Sequence, residues 1–349
     1  MLAANQLYQA DVERTARSVE PLFGLLAGQS VFVTGATGLI GSAFVDLLLA
    51  ANRLFGTGVK VYAAARSPEG LARRFGEPAG LVAVQYDATR ANEFPERADY
   101  IVHAASNASP ERYVNQPVET MLANFCGLHG LLLWASSVKA RRVLYVSSSE
   151  VYGERRQDEP LDESEYGGVN ILNVRSAYAE SKRAAETLAV AHASEFGLDV
   201  AIARPGHVYG PTARREDRRL SSDFAWKAAA GEALVMKSEG RDVRSYCHCL
   251  DCASAMLTIL LRGARGEAYN ISNPASIVTI REIAELLAEA GGVELRFELP
   301  SQAERRAFNP MKNASLDARK LAGLGWRGQW NARDGVFRTV AELREELSR

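Results

Sequence analysis

The sequence predicts a doubly wound parallel α/β sheet with a smaller C-terminal lobe interleaved with it, on three observations. Short β-branched or aromatic runs at Val31–Thr34, Val59–Ala65, Val82–Tyr86, Tyr100–His103, Val143–Ser147 and Val200–Ala203 alternate with helical stretches, as parallel βαβ units require. The first run enters Gly35, Gly38 and Gly41, the spacing of a strand, a tight turn and a helix that begins against phosphate. The 349 residues exceed the usual size of one compact core, and the chain turns loop-rich and basic from Gly206 to Arg219.

Taken in order, residues 1–28 carry Asp11, Glu13, Arg14, Arg17 and Glu20 on a helix-like pattern, the wrong composition for a signal peptide. They read as a helical N-terminal extension. Residues 29–205 read as a Rossmann-type NAD(P)-binding domain to which 240–268 return. Residues 206–239 and 269–349, with helical segments around Ile280–Ala290 and Asp334–Leu347, read as the substrate-binding lobe. The two lobes should share a cleft at the strand C-termini, the usual ligand position.

The net charge of −1, with both signs interspersed, gives no reason to expect nucleic acid or an anionic membrane as partner. No apolar run approaches the roughly 20 residues needed to span a bilayer, and four cysteines are too few for a disulfide scaffold, so a cytoplasmic protein is expected. Cys247, Cys249 and Cys252 around His248 invite a metal reading, but alternation along a strand points Cys247 and Cys249 away from His248. Ordinary small buried residues, with no metal, are expected there.

In the glycine turn, Gly35 permits the bend, Gly38 admits a pyrophosphate and Gly41 allows close helix packing, with Ala36, Thr37, Leu39 and Ile40 completing the loop. At the end of the second strand, Ala65-Arg66-Ser67 replaces the acid that would bind a ribose 2′-hydroxyl, and an arginine suits a 2′-phosphate. An exposed Arg66 could equally be solvated or stacked on adenine, so NAD and NADP both stay open. Tyr178 and Lys182, four apart, share a helix face, where an ammonium near the phenol favours phenolate.

The glycine turn, Tyr145-Val-Ser-Ser-Ser-Glu-Val-Tyr-Gly153 and Tyr178-Ala-Glu-Ser-Lys182, in that order, resemble the extended short-chain dehydrogenase/reductases, the NAD-dependent epimerase/dehydratase family. The resemblance runs from about Ser30 almost to the C-terminus. It implies a nucleotide-sugar substrate, a tightly bound and recycled NAD(P) and a homodimer built on helices of the nucleotide-binding lobe. It makes Tyr178 the base, sets Ser148 against the sugar oxygen and lets Lys182 reach the nicotinamide ribose. It also assigns Asp87 with Ala88 to the adenine side, a surface turn being the alternative, and Ala104, Ala105 and Ser106 to the nicotinamide side, where Ser106 also meets substrate.

Within that family Glu150 disfavours simple epimerisation, and Ser149 stands where hexose 4,6-dehydratases usually carry an Asp. The Ser-Glu pair, His103-Ala-Ala-Ser-Asn-Ala-Ser-Pro110 and Val169-Asn-Ile-Leu-Asn-Val-Arg-Ser-Ala-Tyr178 resemble the UDP-glucuronate decarboxylases, although GDP-mannose dehydratases also carry Ser-Glu. Arg175 could bind a substrate carboxylate or anchor the loop onto Glu150. His207 replaces a substrate-contacting asparagine and could meet diphosphate, sugar or only its neighbours. Arg219 and Arg244 align with family positions for the diphosphate, whereas Arg214, Arg215 and Arg218 read as a solvated face. A decarboxylase giving UDP-xylose or its 4-keto form therefore leads, a 4,6-dehydratase or 4-epimerase follows, and a non-catalytic dinucleotide sensor is disfavoured because Ser148, Tyr178 and Lys182 are all present.

Overall fold

A computed structural model describes residues 2–154, 159–298, 300 and 311–349. Strands β1 (Ser30–Thr34), β2 (Lys60–Ala65), β3 (Leu81–Gln85), β4 (Tyr100–His103), β5 (Arg142–Val146) and β6 (Val200–Pro205) are the six expected from the sequence. Beyond them follow β7 (His207–Tyr209), β8 (Leu234–Met236), β9 (Val243–His248), β10 (Ala268–Ile271), β11 (Ile277–Thr279), β12 (Leu295–Phe297) and β13 (Asn313–Ala314).

The main sheet has the order β10-β6-β5-β4-β1-β2-β3 and every pair in it is parallel. Its central strands, such as β1 and β4, are continuous apolar runs because both faces are covered, whereas the edge strand β3 is largely exposed. Along β1, Val31 and Val33 pack with the helices Leu39–Phe55 and Cys249–Arg262, while Phe32 points to the opposite layer with helices Pro117–Ser137 and Ser176–Glu195. This is the doubly wound architecture that the sequence predicts.

The seventh strand, β10, spans the boundary expected at residue 269 and lies at the sheet edge beside β6. The segment 240–268 divides: β9 is the centre of a second sheet, pairing with β7, β11 and β13, and only the helix after it packs on the main sheet. The C-terminal lobe buries its core between helices Leu220–Ala230, Ile280–Gly291 and Ala332–Leu347. Thr279 and Glu282 cap the second of these reciprocally.

The N-terminal helix Gln6–Ser18 starts at Asn5, whose side-chain oxygen accepts from the Tyr8 N–H at 2.9 Å. The buried Tyr8 hydroxyl donates to Asp46 at 2.6 Å, and Arg74 closes on the same carboxylate. Arg338 from the last helix reaches Asp11 at 2.5 Å, and the Asn5 side-chain amide donates to the Glu342 carbonyl at 2.7 Å. The extension thus joins the nucleotide-side helices to the C-terminal lobe.

A Cβ at Gly41 would stand 2.3 Å from the Gly35 carbonyl oxygen, whereas one at Gly130, inside helix Pro117–Ser137, would meet nothing within 4 Å. Gly41→Ala is expected to lower the unfolding midpoint and weaken dinucleotide binding, and Gly130→Ala to stabilise by about 0.5–1 kcal/mol through lost unfolded-state freedom. Thermal denaturation of the two variants checks both, and equal midpoints would refute the packing argument.

Candidate active site

The glycine turn sits at the gap between β1 and β4, where the strand order reverses. Gly35 has φ +67°, and a Cβ there would lie 2.7 Å from the Ala104 oxygen and 2.9 Å from the Ala105 nitrogen. Thr34 Oγ1 accepts from both those amides, at 3.1 and 3.2 Å, and meets His103 Nδ1 at 2.8 Å. Helix Leu39–Phe55 begins at Gly38 with no side-chain cap and no acid in its first turn, so its leading N–H groups face the cleft uncompensated. Loop, bare helix end and absent side chains fit a dinucleotide pyrophosphate.

Arg66 is exposed at the end of β2. Burial raises the Asp87 pKa, but hydrogen bonds from Thr89 and the charges of Arg66 and Arg90 outweigh it and hold the carboxyl below its ordinary range. Asp87 accepts from the Thr89 N–H at 3.0 Å and its hydroxyl at 2.8 Å, a local turn at the rim. Ala88 lies under Gly127, where a Cβ would be 2.6 Å from the Ala88 oxygen.

β5 ends in a short 3-10 turn, Ser149–Tyr152, whose N-cap is Ser148, accepting from the Glu150 N–H at 3.2 Å. Helix Ser176–Glu195 presents Tyr178 and Lys182 to this turn. Burial pushes the Tyr178 phenol up to about 12; a hydrogen bond with Ser148 opposes it, the Glu150 charge adds to it, and Arg219 and Ser106 lower it. Lys182 Nζ donates to the Val146 carbonyl at 2.7 Å and stands 4.8 Å from the Tyr145 ring centre and 5.9 Å from that of Tyr178. Burial pulls its own pKa down to about 7. In this arrangement the ammonium is itself desolvated and turned to a carbonyl, and burial of the phenol dominates its shift.

Glu150 receives the Arg175 guanidinium as a fork, at 3.3 Å to each oxygen, so the anchoring alternative for Arg175 is the one observed. Arg175 also lies 5.8 Å over the Tyr113 ring, which stacks on Tyr178 at 5.1 Å between centroids. Tyr113 escaped the sequence reading; the signal was the Ser109-Pro110 helix start, which swings it under the site. Ser149 is buried in the turn.

Arg244 is 2% exposed, donates to the Val243 carbonyl at 2.8 Å and the Lys312 carbonyl at 3.3 Å, and has Asp242 at 3.6 Å. Burial lowers its pKa, and its charge interacts with those of Glu150 and Arg175. Arg219 is forked onto Asp217. Burial, with Arg244 and Arg219 adding, pulls His207 down to about 3, so it enters the cleft neutral, its Nδ1 buried and without a partner among the described residues. Arg214 lies on the exposed face expected for it and also donates to the Thr37 carbonyl at 3.1 Å and the Thr37 hydroxyl at 2.5 Å.

Cys249 opens a helix instead of continuing β9, so the alternation argument stops at His248. Its sulfur fills the space beside Gly210, where a Cβ would be 2.4 Å away. His248 Nδ1 accepts from the Leu250 N–H at 3.4 Å. Among the described residues no His, Cys, Asp or Glu group could hold a metal ion, and no helix is long and apolar enough to cross a membrane.

The fold and the site define a dinucleotide-dependent enzyme of the extended short-chain dehydrogenase/reductase class. The family model for the NAD dependent epimerase/dehydratase family matches residues 31–272, and the chain belongs to that family. It is 33% identical over 314 residues to UDP-glucuronic acid decarboxylase 6 of Arabidopsis thaliana, covering 88% of this chain and 86% of that protein. Its likeness to UDP-glucuronic acid decarboxylase 3 of the same plant is 32% over 318 residues, 91% of this chain and 90% of the relative. Among solved structures, dTDP-glucose 4,6-dehydratase from Streptomyces venezuelae with NAD bound has a TM-score of 0.76 and 28% identity, covering 91% of this chain and 98% of the other.

Since Lys182 titrates near 7 in the fold against 10.5 when free, the unfolded chain binds the extra proton between those values, and stability rises with pH across that window. Relative to Lys182→Met, the wild-type unfolding midpoint should rise as pH goes from about 7 to 10. Melting curves that stay parallel across the series would refute the buried, depressed lysine.

Proposed function

We propose that this enzyme decarboxylates UDP-glucuronate to UDP-xylose, or to its 4-keto form, through transient oxidation at C4 of the sugar. The observation that carries the reading is the convergence of Ser148, Glu150, Arg175 and Tyr178 beside the dinucleotide cradle. The likeness to UDP-glucuronic acid decarboxylases over most of the chain supports it. Gly35, Gly38 and Gly41 with the start of the helix would hold the pyrophosphate, and Lys182 the nicotinamide ribose. Bound NAD(P) supplies a reversible hydride acceptor for C4 and a nicotinamide charge that favours the Tyr178 phenolate.

Tyr178 takes the proton of the C4 hydroxyl while Ser148 hydrogen-bonds that oxygen. The resulting β-keto acid loses carbon dioxide because the electron pair of the C5–carboxyl bond passes into the C4 carbonyl. Ser148 and Tyr178 then stabilise the oxyanion. Glu150, oriented by Arg175 and flanked by Ser149, manages the proton or a water at C5. Arg244, a buried cation bonded mainly to backbone carbonyls, joins Arg219 in binding the diphosphate, and neutral His207 bonds the sugar or diphosphate. A 4,6-dehydratase is the second reading, favoured by the solved dehydratase neighbour and disfavoured by Ser149 where an acid is usual.

Incubation with UDP-glucuronate, UDP-glucose, dTDP-glucose and GDP-mannose, followed by product mass, decides between the two. Loss of carbon dioxide from UDP-glucuronate is expected; loss of water from a hexose would establish the dehydratase. Glu150→Gln should lower kcat by about 10²–10⁴-fold with little change in KM, and an unchanged kcat would remove Glu150 from the chemistry.

We also infer a homodimer. Val118, Met121, Leu122, Phe125 and Leu133 form an exposed apolar stripe at helical spacing on Pro117–Ser137, and Val190 of the helix carrying Tyr178 and Phe196 at its C-cap are exposed as well. Light scattering should give a dimeric mass, and Phe125→Glu should shift it toward monomer; a monomeric wild type would sink the inference.

A further inference from the structure

Two carboxyl groups that the proposed sugar chemistry does not use are buried against each other where the N-terminal helix meets the last one. Asp11 in Gln6–Ser18 is 4% exposed and Glu342 in Ala332–Leu347 is 0% exposed. The two side chains share a hydrogen bond, and neither Glu342 oxygen accepts from any donor among the described residues. A carboxylate can only accept, so two carboxyl groups can bond to each other only when one of them carries a proton. Arg338, one turn before Glu342, directs its fork to Asp11 instead, at 2.5 Å through Nε and 3.2 Å through Nη2, and also donates to the Leu7 carbonyl at 3.2 Å. That leaves Asp11 as the anion of the pair and Glu342 as the acid.

The groups that act most strongly on Glu342 are Asp11 from the N-terminal helix and Arg338 and Glu345 from its own, and the buried Cys249 thiol of helix Cys249–Arg262 also interacts with it. Of these only Arg338 is positive. Glu345 is turned to the Gln6 and Leu7 N–H groups, at 2.9 and 3.2 Å, and to Arg349. Tyr8 on the N-terminal helix donates to Asp46. Helices Leu220–Ala230 and Ile280–Gly291 and strand β9 meet the last helix through an apolar core, while Asp223 pairs with Lys227 and Glu289 with Arg333. Burial first, and then the Asp11 charge, hold Glu342 well above its ordinary 4.5. Ionising it would place two buried carboxylates against one guanidinium.

We propose that Glu342 stands as the neutral acid and donates to Asp11, making the pair a proton-dependent latch that fastens the N-terminal helix to the C-terminal lobe and opens when Glu342 ionises. The folded chain then keeps a proton that the unfolded chain has released above about 4.5, so the stability the latch contributes is complete below that pH and is lost as pH rises through the raised value. The extension lies ahead of the family match at residues 31–272, and its helix also packs on Leu39–Phe55, which starts at the glycine turn. The latch therefore bears on how the cofactor side and the C-terminal lobe are held together, whichever sugar is turned over.

The test compares the full-length wild type with Glu342→Gln, whose amide can donate to Asp11 at every pH. Unfolding midpoints are measured from about pH 5 to 9, and hydrogen exchange of the Tyr8–Ser18 amides is followed by mass spectrometry and divided by the intrinsic rate at each pH. Relative to the variant, the wild-type midpoint should fall steadily as pH rises, its folding constant losing about ten-fold per pH unit below the raised value. Protection of Tyr8–Ser18 should be lost at lower pH in the wild type than in Glu342→Gln. Lys182 is common to both proteins, so its own opposite dependence cancels in the difference. In Asp11→Asn, Glu342 can ionise beside Arg338, and the fall with pH should shrink. Wild-type and Glu342→Gln midpoints that run parallel across the series, N-terminal protection lost equally in both, or a fall that is undiminished in Asp11→Asn would overturn the proposal. Nucleotide-sugar turnover plays no part in these readouts, so failure of the decarboxylase reading stays separately visible.

Discussion

Arg204 on β6 donates to Glu186 at 3.0 Å through Nε, and to the Tyr152 hydroxyl and the Glu163 carbonyl at 3.0 Å each through Nη1. Tyr152 in turn donates to Asn270 on β10 at 2.6 Å. One buried guanidinium therefore joins the sheet edge, the 3-10 turn after β5 and the helix Ser176–Glu195. Tyr178, Lys182 and Glu186 follow at intervals of four on that helix, so anchoring Glu186 also aims the other two at the sheet. Removing one partner of such a pair leaves an uncompensated buried charge, at a cost of about 3–5 kcal/mol. This contact therefore helps to set the placement of helix Ser176–Glu195 against the turn that carries Ser148.

The site contrasts with that anchor in how its charges are left. The Arg204–Glu186 network is fully paired, whereas Lys182 is desolvated to a pKa near 7, Tyr178 is raised to about 12, and His207 is neutral with a buried unbonded nitrogen. Groups whose ionisation is disfavoured by burial are those a charged ligand can re-tune, and they cluster here. Arg244 belongs with them, a buried cation whose near partners are mostly carbonyl oxygens. The free energy lost in holding these groups is offset by the surrounding core, where Val31, Val33 and Phe32 are sealed on both faces of β1.

The N-terminal extension takes part in the same economy of placement. Its helix is tied to Arg338 and to the Glu342 carbonyl at one end of the chain and to Asp46 and Arg74 beside the glycine helix. The cofactor side and the C-terminal lobe are thereby referred to a common strut.

Much of the fold was legible in advance because it is local: alternation and β-branched runs mark β1 to β6, and the spacing of Gly35, Gly38 and Gly41 specifies a turn whose sterics depend on a few consecutive residues. The motif order also located Ser148, Glu150, Tyr178 and Lys182. Short strands such as β7, β11 and β13 carry too few residues for a periodic signal and exist only through their partners around β9. Likewise the fork between Glu150 and Arg175, the stacking of Tyr113 on Tyr178, the carbonyl that captures Lys182 and the reach of Arg214 to Thr37 join residues remote in sequence. By itself the sequence determined which residue types stand at each strand end and helix face. Which of them meet, and which charges are neutralised or stranded by burial, only the tertiary structure decided, because pKa and pairing depend on distance and desolvation in space.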